Sequence, residues 1–235
     1  MNVDNSFTQQ ISERGFAVLP SVLNDTECDA LADHVAGGAS ASGGTRAVLQ
    51  QAWCRALADQ LRQHPLLLPL LTPDMVAVQC TYFEKSAARN WLVPLHQDLS
   101  IPVAHRVDHP SLGPWSEKEG VLFVQPPTSL LQQLIAVRVH IDACTSNDGP
   151  LRVLAGSHCL GTLDTEAAAA TRQTHTEQVC AVERGGVLVM RPLLLHASSK
   201  STRNSQRRVL HFLFGPATLP LGLQWKDAVC GSPLQ

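Results

Sequence analysis

The segment from Leu134 to Asp142 divides cleanly into two faces. Ile135, Val137, Val139 and Ile141 fall on one, and Leu134, Ala136, Arg138, His140 and Asp142 on the other. A period of two is what a strand imposes, so the first face belongs in a core. The same grammar recurs along the chain: short apolar runs at 16–19, 75–83, 121–124, 151–154, 178–182, 186–190, 193–197 and 207–214, separated by Gly and Pro turns. So many short strands must bury their faces against one another, which predicts a mainly β fold with flanking α. The specific expectation is a double-stranded β-helix (jelly-roll, cupin-like) with N-terminal helices packed on one sheet.

Those helices have their own signals. Asn24-Asp25-Thr26-Glu27 has the form of a capping box and predicts a helix to about Val35. A Gly/Ala/Ser-rich stretch, 37–44, reads as a flexible link. Thr45 can cap a second helix over about 46–63, ended by Pro65, with Val48, Ala52, Ala56 and Leu61 on its apolar side. Residues 66–71 read as a further turn of helix, and 162–178 as an Ala-rich helical insertion. With 235 residues, one domain over 1–235 is the economical reading. It divides into a helical support region (1–71), a jelly-roll core (72–216) and a C-terminal tail (217–235).

Charge and composition narrow the partners. A net charge of −2 offers no surface for nucleic acid or anionic membrane, and a single tyrosine argues against a base-stacking platform. No apolar run approaches a membrane span, and Met1-Asn-Val-Asp-Asn5 lacks the form of a signal peptide. Seven cysteines include no Cys-x-x-Cys pair, which favours reduced thiols over a disulfide framework or zinc site. A cytoplasmic protein acting on a small molecule is expected, as a monomer or homodimer, with no nucleic acid and no membrane partner.

The chemistry centres on Leu95-His96-Gln97-Asp98. Strand neighbours at i and i+2 share a face, so His96 and Asp98 present an imidazole nitrogen and a carboxylate side by side. That is two-thirds of the 2-His-1-carboxylate set that holds non-haem Fe(II) and leaves coordination positions open. By itself His-x-Asp is a weak pattern in a chain with ten histidines, and an ordinary polar strand would look the same. His196, in Leu193-Leu-Leu-His196-Ala-Ser198, is the candidate third ligand, and Arg207 follows eleven residues later. His105 and His109, in the long loop 100–120, are taken as polar loop residues.

Taken in order, His96-Gln97-Asp98, Asn147-Asp-Gly-Pro-Leu151, Ala155-Gly-Ser-His158, Gly185-Gly186, His196-Ala-Ser198 and Arg207 resemble the phytanoyl-CoA dioxygenase family of Fe(II)/2-oxoglutarate oxygenases. The resemblance runs from Gly15 to Phe214. It implies Fe(II) on His96, Asp98 and His196, with 2-oxoglutarate and O₂ at the remaining positions. It further implies Arg207 and Ser198 on the distal carboxylate of 2-oxoglutarate, since a guanidinium binds carboxylate through two parallel hydrogen bonds. The family also carries a tryptophan near the cosubstrate, which suggests Trp115. The implied reaction is oxidative decarboxylation to succinate and CO₂ coupled to oxidation of a C–H bond. Asp98 favours hydroxylation, because related halogenases lack this carboxylate.

Other residues stay open between two readings. Gln79 shares a strand face with Thr81, Phe83 and Lys85, and that face either lines the pocket beside the cosubstrate or meets solvent. Arg138 and His140 bind a substrate carboxylate if their face looks into the barrel, and are merely solvated if it looks out. Arg46 is either a substrate anchor or a solvated helix-start arginine. No basic patch suited to coenzyme A phosphates is visible, so a small carboxylate-bearing metabolite is the expected substrate. The alternative is a cupin-like metal protein, isomerase or binding module, that does not use 2-oxoglutarate.

Overall fold

The computed structural model describes residues 3–36, 44–203 and 206–229. Helix α1 (Val3–Arg14) leads into strand β1 (Phe16–Leu19), followed by helices α2 (Asp25–Val35) and α3 (Ala52–Gln63). Next come β2 (Met75–Lys85), β3 (Val93–His96), β4 (Ile101–Val103), β5 (Trp115–Lys118) and β6 (Val121–Val124). A short helix α4 (Thr128–Leu131) precedes β7 (Ile135–His140) and β8 (Leu151–Leu154). Helix α5 (Thr165–Thr174) and strands β9 (Glu177–Cys180), β10 (Val187–Met190), β11 (His196–Ser198) and β12 (Arg207–Pro216) complete the chain.

Two sheets form the jelly roll. The larger has the order β1-β10-β7-β12-β2 and the smaller β3-β11-β8-β9, and every named pairing is antiparallel. A third sheet, β4-β6-β5, joins the expected strand at 121–124 to two strands, β4 and β5, formed within the segment 100–120 read from sequence as a long loop. The two faces of β7 do what their alternation requires. Ile135, Val137 and Val139 join the cluster made with α2 and α3, while Ala136 packs between the sheets. Both faces are covered, so the strand is buried throughout.

The helical region departs from expectation at three points. Helix α1 carries no strong apolar stripe, and its pattern does not read as helix; it buries Ile11 against the sheet. The Asn24 box caps α2 as expected: Asn24 accepts from the Glu27 N–H, and Glu27 accepts from the Asn24 N–H. Thr45 does not cap a helix. It pairs with Tyr82 of β2 in an isolated bridge, and α3 starts only at Ala52. The cross-strand bond to a long sheet edge outcompetes the local cap here. Residues 66–71 form turns rather than continuing the helix. The stretch 37–43, expected to be flexible, lies outside the described residues, as do the last six of the tail.

Two further findings concern what was read as accessory. β1 is the edge strand of the larger sheet, and the tail is packed: Trp225 is buried and its indole N–H donates to the Pro216 carbonyl. On β2 the register slips opposite Leu213 and Phe214. Val76 and Val78 therefore face the same apolar cluster as Leu213, while Cys80 faces the helices. On an unbroken strand the alternation would put these three on one face, and the bulge inverts it.

Candidate metal centre and its cavity

β3 and β11 are neighbours, with His96 directly opposite His196. Asp98 lies just past the end of β3, and its N–H donates to the Pro192 carbonyl at 2.9 Å. The intervening Gln97 points the other way and anchors the segment. Its amide donates to the carbonyls of Gly161 (2.8 Å) and Leu193 (2.6 Å) and accepts from the Leu163 N–H (2.8 Å). The alternation that puts His96 and Asp98 on one side thus turns Gln97 into a strap for the ligand segment.

The three donor atoms lie within 4.8 Å of one another. Nε2 of His96 is 3.7 Å from one Asp98 carboxylate oxygen, and Nε2 of His196 is 3.7 Å from the other. Each imidazole donates its Nδ1 proton to a backbone carbonyl, Pro94 for His96 and Leu194 for His196, both at 2.9 Å. That fixes the tautomer and leaves both Nε2 lone pairs aimed at the space beside Asp98. Burial pushes His196 down to about 4, despite the opposing charge of Asp98. Burial pushes the Asp98 carboxyl up, but His196, His211, His96 and Arg138 outweigh it, and the net shift is downward. A neutral His196 imidazole beside an ionised Asp98 carboxylate is the protonation state a divalent metal needs. Two nitrogens and one oxygen on one side suit Fe(II), so the residues fit the group.

The set opens into a cavity of about 440 Å³ between the sheets. Its wall brings together most of the residues singled out from sequence: Gln79, Arg138, Ser198, Arg207 and Arg46, beside the three candidate ligands. Gln79 and Thr81 both line the cavity, so their face looks inward, and Gln79 donates to the Thr81 hydroxyl there. Arg46 is tied to Glu119 by a 2.6 Å ion pair at the mouth. Trp115 is not in the wall. It opens β5 opposite Val124 and packs on the apolar cluster outside, with Arg106 over its ring. His140 is also absent from the wall. It is buried deeper, its Nδ1 has no hydrogen-bond partner, and burial, then Arg138 and Arg207, push it well below the usual imidazole range. Sharing a face with Arg138 was not enough, because the cavity ends before that position.

The cavity is rich in positive charge. Arg207 and Arg138 are buried, and the Nε of each has no partner. A buried guanidinium with an unmade bond is costly, which is the condition an incoming carboxylate relieves. Arg207 is aimed by a second motif. One of its terminal nitrogens and the Ser198 hydroxyl both donate to the Gly149 carbonyl. Gly149 has φ +64°, and an added Cβ would sit 2.4 Å from the Ser199 carbonyl oxygen, so only glycine lets this turn approach β11. The Ser157 hydroxyl accepts from the Leu195 N–H and supports β11 from the other side.

Two residues of the site were not singled out from sequence. His211 lies opposite Arg138 on β12, and its Nδ1 is 2.8 Å from the Arg138 guanidinium. A guanidinium only donates, so Nδ1 accepts and Nε2 carries the proton. That N–H faces Asp98 at 3.9 Å, which makes His211 a neighbour of the metal set rather than a member. The signal was available, since His211 is four residues beyond Arg207 and shares its face. Lys85 is the other; its place on the Gln79 face was legible, but no role was. It is buried, and it donates to Ser198.

The family model for phytanoyl-CoA dioxygenase (PhyH) matches residues 11–209. No curated protein matches this sequence. Among solved structures, SnoN from nogalamycin biosynthesis, an epimerase in complex with Fe3+, alpha ketoglutarate and nogalamycin RO, is 16% identical, covers 99% of this chain and 92% of its own, and superposes with a TM-score of 0.70. EctD from S. alaskensis, in its apoform, is 15% identical over 99% and 87%, with a TM-score of 0.70. HygX from Streptomyces hygroscopicus, with nickel and 2-oxoglutarate bound, is 18% identical over 91% and 87%, with a TM-score of 0.62. At these identities the likeness is one of fold.

Proposed function

This chain belongs to the phytanoyl-CoA dioxygenase family, and from that premise we propose that it is an Fe(II)/2-oxoglutarate-dependent hydroxylase of a small carboxylate-bearing metabolite, an amino acid or biosynthetic intermediate. One observation carries the reading. The two-imidazole, one-carboxylate set shares its cavity with a buried guanidinium, Arg207, whose Nε lacks a partner. An anionic cosubstrate would supply the partner that this guanidinium lacks.

His96, Asp98 and His196 would hold the metal, and Arg207 with Ser198 would hold the cosubstrate's distal carboxylate. When bound, Fe(II) with 2-oxoglutarate and O₂ supplies oxidative decarboxylation to succinate and CO₂ and the oxidation of a C–H bond. The protein's own work is placement. The carbonyls of Pro94 and Leu194 hold the imidazoles, Gln97 holds the segment between them, and the apolar part of the wall, including Phe83, Phe123 and Leu213, excludes water.

Arg138 supports the substrate class. With Arg207 committed to the cosubstrate and Arg46 to Glu119, Arg138 is the buried cation left facing the cavity. A substrate carboxylate would satisfy its Nε, while His211 braces the other side of the guanidinium.

The test is anaerobic addition of Fe(II) and then 2-oxoglutarate to the purified protein. A visible iron-to-ketoacid charge-transfer band, absent in His196→Ala and weakened in Arg207→Ala, supports the cosubstrate assignment. Bound iron without a band would favour the cupin-like alternative. In air, candidate acids should yield succinate and a product heavier by one oxygen. Succinate without a mass gain would redirect the outcome to epimerisation, and loss of two hydrogens to desaturation or ring formation. Arg138→Ala should lose substrate affinity while the charge-transfer band persists.

A further inference from the structure

Lys85 is the last residue of β2 and lies directly opposite Arg207, the first residue of β12. Two cations in one cross-strand pair repel. Both are nearly inaccessible, with 1% of Lys85 and 3% of Arg207 exposed. Among the described residues no carboxylate forms an ion pair with either. The acidic groups nearby are already taken: Glu177 by Arg152, Asp148 by Arg203 and Asp142 by Arg208. The Lys85 ammonium is held by neutral oxygens, the Ser198 hydroxyl at 2.6 Å and the Ser199 carbonyl, and sits 5.5 Å above the Trp91 ring. Ser198, Trp91 and Arg207 all line the cavity. This end of the barrel therefore buries two cationic side chains with no counter-ion among the described residues.

We propose that Lys85 is a second cationic determinant of cosubstrate binding, a positioning residue that acts through the Ser198 hydroxyl and makes the distal-carboxylate end of the cavity a two-cation site shared with Arg207. The proposal rests on the oxygenase reading above and deepens it. An ammonium cannot accept a hydrogen bond. With Lys85 donating to its oxygen, Ser198 keeps its own proton for an acceptor, and the Gly149 carbonyl (3.3 Å) holds it until a carboxylate arrives. The bound carboxylate then meets the Arg207 fork and a serine whose oxygen is already polarised.

The electrostatics agree with the geometry. Burial first, then Arg207, lower Lys85 to about 7, with Arg138 and Arg152 adding to the repulsion and Cys144 alone opposing it. The groups that face Lys85 are thus Arg207 on β12, Arg138 on β7, Arg152 on β8 and Cys144 after β7. A carboxylate at this site restores the charge balance, so the Lys85 amine should take one proton from solvent as the cosubstrate binds.

Calorimetric titration of the Fe(II)-loaded, anaerobic protein tests this. At pH 7.5, in buffers of different ionisation enthalpy, 2-oxoglutarate should be bound with uptake of about three-quarters of a proton, and 2-oxobutyrate, which lacks the distal carboxylate, with none. Between pH 6.5 and 8 the Kd for 2-oxoglutarate should rise about eightfold. Lys85→Met should weaken binding at least tenfold at pH 6.5 and flatten that pH profile. Lys85→Gln, which keeps donors to Ser198 and Ser199, should recover part of the affinity but not the pH dependence. A charge-transfer band with no proton uptake and an unchanged Kd in Lys85→Met overturns the role of Lys85 and leaves the oxygenase reading intact. Iron without any band overturns the oxygenase reading itself. The proton measurement uses the unaltered protein, so it decides the matter even if a variant fails to fold.

Discussion

Replacing Arg207 with Met keeps much of the buried aliphatic stem and removes the guanidinium. One terminal nitrogen of Arg207 is spent on the Gly149 carbonyl, and its Nε is buried without a partner. The fork edge formed by Nε and the other terminal nitrogen is therefore what remains for a carboxylate. Two hydrogen bonds to a charged group contribute roughly 1.5–3 kcal/mol each, so about 3–6 kcal/mol of cosubstrate binding is at stake. That converts to a Kd for 2-oxoglutarate raised on the order of 10²–10⁴-fold. Lys at the same position keeps a charge but loses the planar fork, so Arg207→Lys should fall between wild type and Arg207→Met. The assay is anaerobic titration of the charge-transfer band, with Fe(II) affinity measured separately. Arg207 offers no ligand atom to the metal set, so Fe(II) affinity should stay within about threefold. A Kd for 2-oxoglutarate within threefold of wild type in Arg207→Met would refute the reasoning, as would equal losses of Fe(II) and cosubstrate affinity.

Gln97→Ala removes three hydrogen bonds from the strap behind the ligand segment. It should lower Fe(II) affinity by about 10–100-fold without removing a ligand, measured by competition with a chelator. Gly185→Ala places a Cβ 2.1 Å from the Leu23 carbonyl oxygen at a φ of +72°. That clash should destabilise the fold by more than about 2 kcal/mol, read from chemical denaturation. Lys85 has its pKa lowered to about 7 in the fold, so between pH 7 and its unfolded value the unfolded chain binds more protons, and stability rises with pH. From pH 7 to 8.5 the apoprotein should gain about 1.5 kcal/mol relative to Lys85→Met. The window ends there because buried thiols such as Cys180, pushed up to about 12 by burial, reverse the trend at higher pH.

Much of the site was legible because strands obey a simple parity. Once Arg207 is taken as inward, His211 and Leu213 follow at steps of two, and once Gln79 is inward so are Thr81 and Phe83, while Lys85 on the same face lies behind the wall and reaches it through Ser198. What parity cannot supply is depth. His140 shares a face with Arg138 yet lies beyond the cavity, and Trp115 has a β partner that turns it onto a separate apolar cluster. Nor can it reveal an inversion such as the β2 bulge, where a single slipped residue moves Cys80 to the helix side. Local signals were reliable where local bonds decide the outcome, as in the Asn24 box. They failed where a distant partner competes, as when Tyr82 draws Thr45 into a bridge in place of a helix cap.

By itself the sequence determined the class of fold, through its many short alternating strands, and the identity of the candidate ligands, through His-x-Asp and a later His with Ser and Arg at fixed offsets. These are properties of spacing along one chain. Only the tertiary structure decided which charges share a space. Lys85 and Arg207 are 122 positions apart in the sequence and opposite one another on adjacent strands. Arg138 and His211 are paired the same way. Coulomb energy depends on distance through space and on burial, and neither is written in the order of residues.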